Sequence, residues 1–265
     1  MRTRAGWSGL ARPVLRSGLH VVRRDDQHLQ IGLDDPDRLL LRDRPGLLVA
    51  LTSLEQTPAP ELRPVLDGLV ADGWVEDAAE PSRRARSLAE QRAPVALEAD
   101  ALARDAVTRV CAAASLCVAQ PAAGSPSAAT LVVTLGEPRR RTSDRLMRDD
   151  VPHLWLAVLP ESVRIGPFVE PGRTPCLRCV DAHLGERDAR RATVLYQLDS
   201  LPSAPYAVWD PCLLDLGVAW AVRDVVRRLD GQQPALRSAS VTVTADLAVS
   251  RREWLRHPHC GCAWG

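Results

Sequence analysis

PVALEADALARDAV, residues 94–107, passes from a short apolar run into helical spacing within a few residues. Pro94–Leu97 reads as a strand and Ala101–Ala114 as an alanine-rich helix. The pattern then repeats downstream. Leu116–Ala119 is a second short strand, Pro121–Ser127 a Pro/Gly/Ser loop, and Leu131–Leu135 (LVVTL) a buried strand. Thr142–Met147 has helical spacing and His153–Val158 is again a strand. Strands alternating with helices at this interval predict βαβ units and a mostly parallel sheet. Ser162–Phe168 and Val241–Leu247 supply later strands, and Leu213–Leu229 is a long helix stopped by Asp230-Gly231. The fold class is α/β.

The residues before this stretch are organised differently. His20–Arg23 and Gln27–Leu33 are extended runs joined by Arg24-Asp25-Asp26, a hairpin signal, and Arg38–Asp43 is a third strand. Pro45 opens the apolar run Gly46–Leu54, at a position tolerated in the first helical turn. Pro58 and Pro60 break the chain, and Glu61–Ala71 restarts it with Leu62, Val65, Leu66, Leu69 and Val70 on one face. Asp72-Gly73 stops that helix before a closing strand at Trp74-Val75. This order predicts a winged helix-turn-helix-like module over residues 1–77. Residues 78–93, polar and arginine-rich, form a linker or an exposed helix, and 94–265 the α/β domain.

At 265 residues, 46% hydrophobic and 25% charged, the chain can bury one large core or two smaller ones. All 34 basic residues are arginine, so Schiff-base, P-loop-lysine and lysine-base mechanisms are excluded. A formal net charge of +1 gives no electrostatic footprint for nucleic acid or an anionic membrane. The first residues lack the apolar core of a signal peptide, and no window approaches the ~18 apolar residues of a spanning helix. Seven cysteines, four of them in close pairs, favour a reduced, cytoplasmic setting and a metal site over a disulfide framework.

The first pair is Cys176-Leu-Arg-Cys179. The second lies in His257-Pro-His-Cys260-Gly-Cys262. A C-x-x-C turn aims two thiolates at one ion, and a second pair completes a tetrahedron, the arrangement of a closed structural Zn²⁺ site. Gly261 removes the side chain that would crowd the tighter bite, and His257 or His259 can stand in for one cysteine. Redox-active or incidental thiols are the alternative reading. Cys111 and Cys117 read as small buried apolar residues. Cys212, after Asp210-Pro211, sits where a helix dipole can stabilise a thiolate.

GPFVEPGRTPCLRCVDAH, residues 166–183, followed by Arg187-Asp188 and closed by His259-Cys260-Gly-Cys262, resembles the ThiF-like cyclodehydratase-domain proteins of azole-forming peptide clusters. These are leader-peptide-binding partners of YcaO-type enzymes. The resemblance covers most of the chain, and is weakest over 1–18 and 78–93. It implies an N-terminal winged-helix-like peptide-recognition module and a second, Rossmann-type domain like that of ubiquitin-activating enzymes, with a four-cysteine zinc knuckle at Cys176, Cys179, Cys260 and Cys262. Relatives of this fold often dimerise through the α/β domain, so a homodimer is implied too. Adenylating relatives carry a glycine-rich strand-to-helix turn that lets backbone N–H groups approach ATP phosphates. Here that position reads Glu98-Ala-Asp-Ala-Leu-Ala103, with no glycine and two carboxylates. No cysteine lies between Cys179 and Cys212 to match the crossover-loop nucleophile of some relatives. The sequence therefore argues against ATP chemistry, and the domain reads as degenerate.

Binding is the function left. The resemblance adds a precursor leader peptide as a strand along the third strand, against the adjacent helix, with main-chain hydrogen bonds giving affinity and pockets reading alternate side chains. The expected contacts are Arg38, Leu39, Leu40, Leu41 and Arg42 on the strand, with Arg63, Leu66 and Val70 on the helix. The arginines would draw an acidic leader. The same leucines also read as core and the same arginines as solvated surface. Asp181, His183, Arg187 and Asp188 place carboxylate near imidazole, although one-residue spacing keeps Asp181 and His183 from facing each other, which favours a structural role. The resulting expectation is a non-catalytic partner that presents a precursor peptide to a YcaO-type cyclodehydratase. The competing readings are an active ThiF-like adenylyltransferase and a DNA-binding regulator.

Overall fold

The computed structural model describes residues 6–119, 128–201 and 209–262, so the expected Pro121–Ser127 loop lies outside the described residues. The chain divides into two units, Met1–Leu88 and Ala89–Gly265.

In the first unit, β1 (Pro13–Leu15), β2 (Val21–Arg23), β3 (His28–Ile31) and β4 (Leu39–Arg42) precede α1 (Leu47–Thr52), α2 (Arg63–Ala71), β5 (Val75–Asp77) and the greater part of α3 (Glu80–Gln91). Strands β2, β3 and β4 form an antiparallel meander in that order, and β1 pairs antiparallel with β5. Leu29 and Ile31 alternate inward along β3 and are fully buried with Leu47, Leu51, Leu66 and Val75. Two local expectations shift. Helix α1 starts at Leu47 and not at Pro45, because Gly46 takes a left-handed conformation (φ 78°) just before it. Glu61 lies in a single 3-10 turn, Pro60–Leu62, from which α2 continues. Strand β1, three residues opened by a proline, has no recognisable pattern of its own. Helix α3 buries none of its residues.

The second unit runs β6 (Val95–Ala99), α4 (Ala101–Ala113), β7 (Val118–Ala119), β8 (Thr130–Leu135), α5 (Arg140–Arg148), β9 (His153–Leu159), β10 (Ser162–Val169), α6 (Leu177–Gly185), α7 (Arg191–Ser200), α8 (Pro211–Leu229), β11 (Ala239–Thr244) and β12 (Val249–Glu253). They build one seven-stranded sheet in the order β12-β11-β10-β9-β8-β6-β7. The expectation of a mostly parallel sheet is corrected. Strands β7, β6, β8 and β9 are parallel, whereas β9, β10, β11 and β12 pair antiparallel. Only Pro160-Glu161 separates β9 from β10, and a link that short reverses the chain, since parallel strands need a crossover of a dozen or more residues.

Both faces of the sheet are covered. Leu131 and Val133 of β8 and Leu154, Leu156 and Val158 of β9 share a core with residues of α4 and α8. The intervening Val132 and Trp155 share another with Leu146 of α5 and Leu177 and Cys179 of α6. Alternate residues of each strand thus feed opposite layers. Helix α8 lies so close to the sheet that a Cβ at Gly217 would sit 2.4 Å from Val163 Cγ2. Among the described residues, no helix is long and apolar enough to cross a membrane.

Candidate functional site

The two cysteine pairs meet on α6. Cys176 is the residue before its first turn and Cys179 lies within that turn, while Cys260 and Cys262 arrive on a turn in which Gly261 has φ 77°. All four sulfurs lie within 4.8 Å of one another. Cys176 Sγ is 3.9 Å from Cys179 Sγ and 3.5 Å from Cys260 Sγ, and Cys179 Sγ is 3.3 Å from Cys262 Sγ. A tetrahedral ion with metal–sulfur bonds of about 2.3 Å sets its sulfurs about 3.8 Å apart. The cluster is therefore a donor set able to hold a metal ion. A hydrogen bond from Cys176 pulls the Cys179 thiol down to about 4, whereas the same contact and burial push Cys176 up. Burial pushes Cys260 up to about 12. Four thiols at this spacing share negative charge poorly, and a cation relieves that.

Neither His257 nor His259 replaces a cysteine in the cluster. The His257 main chain instead braces it. Its N–H bonds to the Cys179 sulfur and its carbonyl accepts from Cys260 N–H at 3.0 Å. Of the remaining cysteines, Cys111 is buried, and burial pushes its thiol up to about 11, an inert group. The expectation that Cys117 is buried is overturned. It is exposed, in the connection to the two-residue strand β7 at the sheet edge. Cys212 is exposed at the start of α8, where Asp210 accepts from its N–H at 2.7 Å.

At the carboxyl ends of β6 and β8, where successive strands depart to opposite sides, lies an open crevice of about 810 Å³. Such switch points are where ligands bind in α/β sheets. Glu98, Asp100, Arg104, Thr134 and Arg139 line it. The Asp100 carboxylate accepts from Leu135 N–H at 2.6 Å, and Glu98 pairs with Arg145. The turn that carries these two carboxylates, Glu98 to Ala103, contains no glycine.

Beside the crevice is a network that sequence reasoning missed. Arg140, 2% exposed, bonds Asp181 and Glu137 at once, Glu137 also receives Arg164, and Asp181 receives Arg191. Asp181 is spent here. His183, two residues on, points its Nε2 at Leu255 O (3.0 Å), so the two do not act together. Asp188 accepts from Arg190 N–H at 3.0 Å, and Arg187 is exposed.

In the first unit, among the described residues, β4 is a sheet edge, bonded to β3 alone. Asp43 N–H bonds to Gln27 O at 2.6 Å, in register with the pairs Leu41–Leu29 and Leu39–Ile31. By antiparallel alternation, residues 39 and 41 bond to β3, while 40 and 42 turn their main-chain N–H and C=O outward. Leu40 is exposed, Leu39 and Leu41 are half-buried against the core, and Arg42 and Arg63 are exposed with no ion-pair partner among the described residues. Arg38 is tied to Asp35 at 3.1 Å. Val70 is half-buried. Leu66 is 0% exposed, so it is a core residue and not a contact.

No protein-family model matches the chain, and no curated protein matches it. Solved structures do. A heterocyclase in complex with substrate and cofactor superposes with a TM-score of 0.69 at 19% identity, over 95% of this chain and 39% of that one. The heterocyclase TruD gives 0.68 at 17%, over 95% and 42%. The chain thus spans about two-fifths of the length of these heterocyclases. E. coli MccB with MccA-N7isoASN gives 0.61 at 12%, over 96% of this chain and 99% of that one. At these identities the likeness is one of fold, a Rossmann-like α/β architecture with a seven-stranded mixed sheet, matched to MccB over nearly the whole of both chains.

Proposed function

We propose that this chain is a non-catalytic peptide-binding partner in the maturation of ribosomally made, azole-bearing peptides. It holds a precursor's leader segment and presents the rest to a separate YcaO-type cyclodehydratase, which supplies ATP-dependent activation of Cys, Ser or Thr. The observation that carries the reading is the open edge of β4, where residues 40 and 42 offer two sets of outward main-chain groups beside the exposed Arg42. An added strand there gains affinity from main-chain bonds, and Leu40 and Arg42 read its side chains. In this reading residues 1–77 are a winged-helix-like recognition module, 78–93 a linker and 94–265 a degenerate ThiF-like domain. Holding peptide and enzyme together raises their effective concentration without any chemistry in this chain.

The fold neighbours support the reading. One heterocyclase is described with substrate, and MccB with MccA-N7isoASN. The four-cysteine cluster would hold Zn²⁺ as a structural ion, since four protein thiolates leave no position for reactive water. A reducing, cytoplasmic setting suits those thiols, and a homodimer through the α/β unit belongs to the same proposal.

Fluorescence polarisation with the leader of a precursor encoded beside this chain's gene tests it. Saturable binding at micromolar concentration is expected, and no binding by the folded protein at tens of micromolar would sink the reading. The competing reading is active adenylation, favoured by the end-to-end match to MccB, which is described with ATP. Peptide-stimulated pyrophosphate exchange would establish that reading in place of ours.

A further inference from the structure

Outside the cysteine cluster, a second group of metal-ligating side chains converges from distant parts of the second unit. His183 lies in the last turn of α6, Glu186 caps that helix three residues later, and His257 comes from the carboxyl-terminal turn; their ligand atoms lie within 4.8 Å of one another. We infer that His183, Glu186 and His257 form a separate site for a borderline divalent cation such as Zn²⁺, Co²⁺ or Ni²⁺.

His183 is already set for that role, and His257 reaches it by a change of tautomer. His183 Nε2 is 3.0 Å from the Leu255 carbonyl, which only accepts, so the ring proton sits on Nε2 and the lone pair on Nδ1. A metal-binding histidine characteristically donates its other ring N–H to such a carbonyl, which fixes its tautomer. The ring is held further by stacking on Trp254, whose indole N–H bonds Ser240 at 2.8 Å. The His257 ring meets His183 edge-on, with centroids 4.7 Å apart. His257 Nε2 and Glu186 Oε1 are 3.1 Å apart. Two ligand atoms at bond lengths of about 2.1 Å around one ion stand about 3.0–3.4 Å apart, so the ion fits where the proton between them now lies. On binding, the ring proton moves to Nδ1 and the 3.2 Å contact from His259 N–H is released, so His257 keeps one proton throughout.

Two neutral imidazoles and one carboxylate leave the ion a net positive charge and at least one open position. Imidazole and carboxylate donors with an open position are the make-up of ligand-accessible sites, in contrast to the closed thiolate cluster. The open position would take an anionic oxygen or sulfur donor. Because the His257 main chain bonds both Cys179 and Cys260, the thiolate cluster positions the imidazole of its neighbour.

Co²⁺ titration of the full chain, with the thiolate-held metal in place, tests the assignment through elemental analysis and histidine-ring NMR. Wild-type protein is expected to take up one further Co²⁺ per chain and to shift the ring signals of His183 and His257. H183Q and E186Q, at a half-buried and an exposed position outside the folded core, are each expected to weaken uptake by about tenfold or more. No uptake beyond the thiolate-held metal, or wild-type affinity in either variant, would overturn the site.

Discussion

Arg140 meets Asp181 side-on, with Nε 2.6 Å from one carboxylate oxygen and Nη2 2.8 Å from the other. The pair joins α5 to α6, and Arg191, 2.9 Å from the same carboxylate, brings in α7. Arg140 is 2% exposed, so its charge depends on these partners. Removing one member of a buried pair costs about 3–5 kcal/mol, because the other charge stays buried without compensation. Asp181→Asn is expected to lose about that much stability in urea unfolding, whereas Asp215→Asn, breaking the exposed pair with Arg109, is expected to change it by less than about 1 kcal/mol.

The same network sets an acid limit. Burial opposes ionisation of Asp181 and Glu137, but hydrogen bonds and charge from Arg140, with Arg191 on one and Arg164 on the other, outweigh it and hold both carboxyls below their ordinary values of 3.8 and 4.5. A depressed folded value means that the unfolded chain binds the proton more readily. The stabilisation is therefore complete above the unfolded values and is lost as pH falls through the folded ones. Urea midpoints are expected to be level near neutrality in this respect and to fall below about pH 4. Asp181→Asn should make that fall shallower. An equal slope in the variant would contradict the assignment.

The cysteine cluster predicts a metal-dependent fold in the second unit. Chelation, or Cys179→Ser, is expected to abolish cooperative melting and release about one zinc per chain, since metal-binding energy is folding energy in such sites. Cys212→Ser, at an exposed position away from the cluster, is the control and should leave Tm unchanged within error. A metal-free protein melting like wild type would remove the cluster's structural role.

The cysteine site was legible because its chemistry is written locally. Cys176-x-x-Cys179 and Cys260-x-Cys262 are each a few residues long, and only their meeting needed the fold. His183-x-x-Glu186 was half-legible, since one helical turn aligns the two side chains, but the third ligand lies about seventy residues on. Arg140 had no signal at all. In a chain whose basic residues are all arginine, the buried one looks like every exposed one, and only tertiary contacts separate them. The βαβ half of the sheet showed in its apolar runs. Of the antiparallel half, β10 and β11 also showed as apolar runs, whereas β12, VSRRE, is exposed along its whole length, carries no alternation and left no comparable trace.

The peptide edge makes the most discriminating prediction. Leu40 N–H points away from β3, so proline there removes a donor from the open edge without removing a bond from the native ladder. At residue 41 the same change would take out a ladder bond and disturb the sheet. Leu40→Pro is therefore expected to keep wild-type melting while lowering affinity for a leader peptide about tenfold, the loss of one main-chain bond worth about 0.5–1.5 kcal/mol together with poorer alignment of the added strand. Arg42→Glu tests the charge contribution separately, with a loss that shrinks as salt rises, because exposed charges are screened within about 10 Å at 0.1 M. If Leu40→Pro binds like wild type while Arg63→Glu does not, the peptide contacts the helix side and β4 is not its strand partner.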